Sequence, residues 1–157
     1  MRSVKMTNRK SKISNYDFMK VISNARVTKK SSPLEVINFI HMGVTTNDLF
    51  KFANAIECDI DLITRALNTT KRKLISNSDA RLNKQLSENA VEIARLTTIA
   101  MEYFADLKEW NEWLDKVHTQ FNDQTPRSFI GSIRGRELIE QTIYSLKSQA
   151  ILTIHQL

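Results

Sequence analysis

An all-α fold is predicted by three features of this sequence. Turn-forming residues are scarce, with three glycines and two prolines in 157 residues, too few for a β-sandwich built on tight turns. Between them apolar residues recur at i, i+3, i+4 and i+7, the period of one helix face. Ser, Thr or Asp stands before most of these runs, as a helix start requires. With 41% apolar and 25% charged residues, the composition is that of a folded soluble chain, long enough for one domain or two small ones.

The first 13 residues are polar and basic and read as mobile. Tyr16, Met19 and Ile22 can line one face of a short helix. Stronger signals begin at "SSPLEVINFIHMG": Ser32 is the cap, Pro33 the first helical residue, and Glu35 completes a capping box. Leu34, Ile37 and Ile40 or His41 form the expected inward face, and Gly43 stands where a positive-φ residue ends a helix. Thr45 and Asp48 then cap a helix with Leu49, Phe52, Ala53 and Ile56 inward. Asp59 caps another, carrying Leu62, Ile63, Ala66 and Leu67. In "LNTTKRKL", Thr69 or Thr70 caps a further short helix. Short helix, tight turn and short helix make the sequence form of a helix-turn-helix, whose second member enters the major groove of DNA.

A polar link, "SNSDARLNKQ", leads to a long helix that Ser87 is expected to open and that runs to about residue 104. Its stripe is Ala90, Ile93, Ala94, Thr97, Met101 and Phe104. Trp110, Trp113, Leu114 and Val117 mark a helix from about 107 to 117, with both tryptophans inward by their spacing. Phe121 is the one apolar residue in the loop "HTQFNDQTP", and reads either as a loop anchor or as part of a partner surface. Thr125 and Pro126 form a cap-then-proline start. Ser132 opens the last helix, faced by Ile133, Ile139, Thr142, Ile143, Leu146 and Ala150.

Charge is uneven. Residues 1 to 30 hold nine Lys or Arg against one acid, Asp17, within a net charge of +6 for the whole chain. The remainder is therefore close to neutral, and a cationic arm on a neutral body suits a nucleic-acid surface. Lys71, Arg72 and Lys73 span about 200° of a helix, so at least one faces outward whatever the packing. Behind a basic arm and in a helix-turn-helix frame they read as phosphate contacts, with at most one base contact from Arg72 or from the hydroxyl of Thr69 or Thr70. Arg65, Arg81 and Lys84 are further backbone-contact candidates. The bland alternative for the trio is a solvated helix face.

One cysteine, Cys58, leaves no internal disulfide framework. No apolar run approaches the roughly 20 residues of a membrane span, and the basic start lacks the apolar stretch of a secretory signal. A cytoplasmic location without membrane attachment is expected. His41, His118 and His155 lie in three separate segments without metal-ligand spacing. Phosphate loops, nucleophile elbows and catalytic triads have no counterpart here. No enzyme activity, cofactor or metal is expected.

The second half, "WLDKVHTQFNDQTPRSFIGSIRGRELIEQTIYSL", resembles the toxin-binding domain of Xre/MbcA/ParS-type antitoxins. Trp113-Leu114, Phe121, Thr125-Pro126, Phe129-Ile130, Gly135, Ile139, Ile143 and Leu146 fall on the positions of that pattern. "RLNKQLSENAVEIARLTTIAMEYFADLKEWNEWL" is similar to the family's linker and long helix, with Ser87, Ala94, Ala100, Phe104 and Asp106 in register. "MGVTTNDLFKFANAIECDIDLITRALNTTKRKL" resembles the Xre helix-turn-helix in front. The chain departs from the pattern at Ala105 and Gln149, both usually Gly, and Gln149 lets the final helix run on.

The resemblance implies a type II antitoxin encoded beside a RES-class toxin that depletes NAD. Such antitoxins cover the toxin's active-site entrance and bind operator DNA to repress their own operon. The organisation expected is a basic arm (1–32), a helix-turn-helix unit (33–85) and a toxin-binding unit (86–157). The expected toxin surface rests on the resemblance and on the apolar tail "AILTIHQL". It comprises Phe121, the 122–136 segment with Arg127, Arg134 and Arg136, and the tail from Lys147 with Gln149 and Ile151. At least a homodimer is expected, with the 87–104 helix as a possible seam, and a larger hetero-oligomer with toxin. The rival readings are a stand-alone helix-turn-helix regulator whose C-terminal part only dimerises, and a ParS-like partner of another toxin or a plain adaptor.

Overall fold

Capping chemistry organises the chain much as its residue order implies. In a computed structural model describing residues 15–76 and 80–156, eight α-helices form and no described residue belongs to a strand. The stretch expected to be mobile, 1–13, lies outside the described residues. The helices are α1 (Phe18–Ser23), α2 (Pro33–Met42), α3 (Thr46–Ala55), α4 (Ile60–Ala66), α5 (Lys71–Ile75), α6 (Lys84–Ala100), α7 (Leu107–Asp115) and α8 (Ile133–His155). Single 3₁₀ turns, Thr119–Phe121 and Pro126–Phe129, lie between α7 and α8.

Ser32 and Glu35 close the capping box at the start of α2. The Ser32 hydroxyl accepts from Glu35 N at 3.3 Å, and Glu35 Oε2 accepts from Ser32 N at 2.6 Å. The Ser32 backbone bond, then its side-chain bond, holds the Glu35 carboxyl below its usual range. Gly43 ends α2 at φ 89°, where a side chain is rarely tolerated. Thr45, Asp59, Thr70 and Asp106 each accept a backbone N–H at the next helix starts.

The buried face of α2 differs from expectation. Phe39 and Ile40 are inside, whereas Leu34 and Ile37 are 65% and 47% exposed. On a helical wheel Phe39 lies about 160° from Ile37, so burying the larger side chain turns Ile37 out. His41 is exposed as well.

The region expected as a basic arm folds from residue 15 onward into the core. Phe18, Met19, Ile22 and Val27 are all buried. Helix α1 packs on both α3 and α6, and Phe18 stands edge-on to Phe52 at 6.4 Å. Around Ser23 a local network holds the following turn: its hydroxyl donates to Met19 O and accepts from Val27 N. The cations of this stretch remain outside, as Lys20, Arg26, Lys29 and Lys30 are exposed.

Helix α6 starts earlier than the sequence indicates. Asn83 caps it, accepting from Leu86 N at 2.9 Å. Ser87 lies fully buried one turn in, accepting from Val44 N at 2.9 Å and donating to Leu82 O. The expected polar link is correspondingly engaged: Leu82 N donates to Val44 O and Thr46 N to Ala80 O. Helix α6 contacts α1, α2 and α8, and its apolar residues lie in one buried cluster with those of both halves. No break in that cluster falls at the expected 85/86 boundary, and the seam expected on the 87–104 helix is consumed inside the chain.

In the rear half, Trp110, Phe104 and Phe121 are buried, with Trp113 packed against them. Trp110 and Trp113 stack at 5.6 Å, and Phe121 meets Phe129 at 5.5 Å. The last helix is continuous through Gln149, as the departure from glycine there implied.

Phe18→Ala is expected to cost roughly 3–5 kcal/mol, the range for emptying a packed aromatic site. Urea unfolding measures it. A loss within about 0.5 kcal/mol, the surface range, would return this segment to the status of an arm.

Candidate nucleic-acid interface and partner surface

Helices α4 and α5 are joined by residues 67–70, and two buried leucines hold them. Leu67 ends α4 and Leu74 anchors α5. Between them Asn68 takes a left-handed conformation, φ 54°, and Thr69 N donates back to Thr64 O at 2.9 Å. Thr70 Oγ1 then accepts from Lys73 N, starting α5. Because Leu74 is the inward residue of so short a helix, Lys71, Arg72 and Lys73 all face solvent. No described carboxylate meets any of the three. Helix α5 has five residues, about 7.5 Å of length, so it offers one turn of contact rather than a long reading head.

The other cations divide. Arg65 and Lys84 are exposed. Arg81 is also exposed, but its Nη1 donates to Gly43 O at 2.9 Å, which directs its guanidinium toward the start of α3. Thr69 and Lys73 share the wall of a polar depression of about 420 Å³ with Asn68, Asn83, Gln85 and Asn89. Its far side is Gly131, whose added Cβ would stand 2.7 Å from Ala66 O. Backbone from the rear half therefore approaches α4 directly.

The residues expected to meet a protein partner fall into two groups. Phe121 is 1% exposed and ringed by Trp113, His118 and Phe129. It is the loop anchor, with no surface to present. Arg127 is internal bracing: its guanidinium bonds both Asp115 oxygens and Asn111 Oδ1, and reaches Cys58 Sγ at 3.6 Å. Burial pushes the Cys58 thiol above its usual value, with the Arg127 charge opposing. Arg136 is buried, donating to Ile130 O at 3.0 Å and Asn89 Oδ1 at 2.8 Å. Desolvation lowers its affinity for the proton, though an arginine so placed stays charged. Lys147 is half-tied, its Nζ 2.8 Å from Glu102 Oε2.

Arg134, Gln149 and Ile151 remain open. Among the described residues Arg134 pairs with Glu137 on its own helix, and it lies near the start of α8. Ile151 lies seventeen residues further along the same helix, roughly 25 Å away at 1.5 Å per residue. The 122–136 segment and the tail therefore stand at opposite ends of α8 and do not make one patch. The rest of the tail expected from Lys147 onward is open as well. Leu152 and Ile154 are 62% and 60% exposed beside Ile151 at 56%. The stripe Ile143, Leu146, Ala150 and Ile154 runs on into this end of α8.

The chain is thus an all-α protein with an open cationic edge on α5 and an open apolar end on α8. Neither a protein-family model nor a curated protein matches it.

Arg136→Ala is expected to destabilise by about 1–3 kcal/mol, because it strands the Asn89 amide and Ile130 carbonyl in the interior. Arg134→Ala should stay within about 0.5 kcal/mol. Thermal melts of the pair check both, and equal effects would contradict the internal role of Arg136.

Proposed function

We propose that this chain is an antitoxin of the Xre type, which neutralises a RES-class, NAD-depleting toxin and binds operator DNA to repress its own operon. The observation that carries the reading is the free end of α8. Three large aliphatic side chains lie there within four residues of one another, each more than half exposed. Folded soluble chains seldom leave such a patch open without a partner. Of the three, Ile151 and Ile154 stand three residues apart on one face, and an apolar helix face of this kind is suited to filling a groove on another protein. Blocking the mouth of an active site needs only steric bulk, so no catalytic side chain is required of the inhibitor.

Support for the family comes from the packing of the residues that carry the resemblance. Trp113, Leu114, Phe121, Phe129, Ile130, Ile139 and Ile143 belong to one apolar cluster. Gly135 is the residue an added Cβ would drive into Phe129 O. For DNA, the support is the exposed trio Lys71, Arg72 and Lys73, each able to neutralise one phosphate, beside the hydroxyl-bearing turn at Thr69 and Thr70. Arg65 and Lys84 extend this edge.

The toxin arm is tested by co-expressing the chain with the toxin encoded next to it and scoring growth. Rescue by the full chain, lost in a folded chain ending at Tyr144, is expected. Silencing by that shortened chain would remove the tail from the mechanism, and no rescue by the full chain would favour a stand-alone regulator. For the DNA arm, replacing Lys71, Arg72 and Lys73 by alanine should weaken binding on all sequences alike. The slope of log affinity against log salt should fall by roughly 2–3, at about 0.9 per lost phosphate contact. An unchanged slope would take the trio off the DNA.

A further inference from the structure

The depression between the α4–α5 turn, the start of α6 and Gly131 is lined by carboxamides whose orientation is fixed from inside. Asn83 Oδ1 accepts the Leu86 backbone N–H at 2.9 Å, and Asn89 Oδ1 accepts from the Arg136 guanidinium at 2.8 Å. Both partners can only donate, so in each amide the oxygen is turned inward and Nδ2 is the end left over. Among the described residues neither Nδ2 has a partner. The same holds for the Gln85 side chain, the Thr69 hydroxyl and the Lys73 ammonium, which share the lining. No described acid lines the depression, and Lys73 is the one charge among the described residues that do.

A space of about 420 Å³ that presents donors and a single cation selects an oxygen-rich anion. It does not suit a base edge. Asparagine reads adenine through its oxygen and its amide N–H together, and the oxygens of Asn83 and Asn89 are already occupied. Phosphate oxygens only accept, and amides and hydroxyls are among their usual donors. A backbone phosphodiester carries one negative charge, which the Lys73 ammonium equals. A free phosphomonoester carries about 1.5 to 2 at neutral pH and would be under-compensated. Thr69 and Lys73 also belong to the α4–α5 edge, so a strand lying along α5 reaches the depression without leaving that edge.

We propose that this depression seats one phosphate of a DNA backbone, with Lys73 supplying the charge and Thr69, Asn83 and Asn89 the hydrogen bonds. The inference rests on the DNA reading above and carries it beyond the α4–α5 edge. Asn89 is held by Arg136 of α8, and Gly131 closes the far wall, so the rear half takes part in the contact. Arg136 is a positioning residue: it fixes which end of Asn89 faces outward. A seat built from such donors reads no sequence, so it strengthens binding to every duplex alike.

Binding of the full chain to a labelled random-sequence duplex, followed by fluorescence anisotropy across a salt series, tests it. Asn83→Ser keeps a helix cap but removes the amide. It should weaken binding roughly tenfold, the loss of a hydrogen bond to a charged group. The salt slope should stay as it was, because a neutral amide displaces no counterion, whereas Lys73→Ala should lower it by about 0.9. Asn89→Asp keeps an acceptor for Arg136 while turning an anionic oxygen toward the phosphate. It should weaken binding more than Asn38→Asp, the same charge change at an exposed position of α2 outside the depression. Circular dichroism should match the wild type in each chain. If the alanine trio lowers the slope while Asn83→Ser and Asn89→Asp bind as the wild type does, this inference fails and the DNA reading stands. A wild type that does not bind the duplex removes both. The source of the phosphate is read from the side-chain amide resonances of Asn83 and Asn89, which should shift with the duplex and not with AMP. Shifts with AMP and none with the duplex would give the depression to a small ligand and overturn the proposal.

Discussion

The rest of the structure depends on how α6 is allowed to be buried. A helix contacted by α1, α2 and α8 needs small residues where other backbones approach it, and needs every hydroxyl it carries inward to be bonded. Its buried positions are mostly Ala, Ser and Thr between larger aliphatics. Thr98 donates to Ala94 O at 2.9 Å and accepts from Phe18 N at 3.0 Å. Ser87 accepts from Val44 N at 2.9 Å. These two hydroxyls join the central helix to the first turn of α1 and to the junction of α2 with α3. Removing either would leave a backbone N–H without its partner in the interior, a loss of about 1–3 kcal/mol.

That arrangement decides how the two candidate surfaces relate. The segment leading into α4, and α4 itself, are held to the rear half by several direct ties. Asn111 Nδ2 donates to Ile56 O at 3.1 Å, and Arg127 spans from α7 to Cys58. Gly131 meets the backbone of Ala66. Nucleic acid on α5 would therefore lie against a body continuous with α8, rather than on a module hung from a flexible link. Binding at one surface would be felt at the other through this shared packing.

Arginine divides its work between the halves. In the rear half Arg95, Arg127 and Arg136 bridge elements, each satisfied by carboxylate, amide or carbonyl oxygens. The Glu140 pairing raises the already high pKa of Arg95, and Glu92 adds to it. With Arg95 and Glu140 both part-exposed, such a pair contributes at most on the order of 1 kcal/mol after solvent screening. Its larger effect is to set the register of α8 along α6. On α5 the cations have no such duties and remain open.

Local chemistry was legible in the order of residues. Ser32-Pro33 with Glu35, Thr45, Asp59, Thr70 and Asp106 announce helix starts because a cap involves only residues three or so apart. The 3.6-residue stripes of α3, α4, α7 and α8 follow from the same short range, except at Val117, beyond the end of α7, and at Ile133, which are exposed; the run of α8 through Gln149 follows likewise. Only the tertiary structure decided which of two plausible faces goes inside, since that depends on what lies opposite. Phe39 displaced Ile37 on α2, and Ser87 became a buried tie rather than a cap because Val44 offered an unpaired N–H. A basic segment contributed Phe18 and Ile22 to the core. For the same reason Arg127, Arg134 and Arg136 look interchangeable in sequence, yet two brace the interior and one faces water. The sequence alone determined where helices begin and which stripes are apolar, whereas three-dimensional packing decided which side chains are left for a partner, because burial is a property of neighbours distant along the chain.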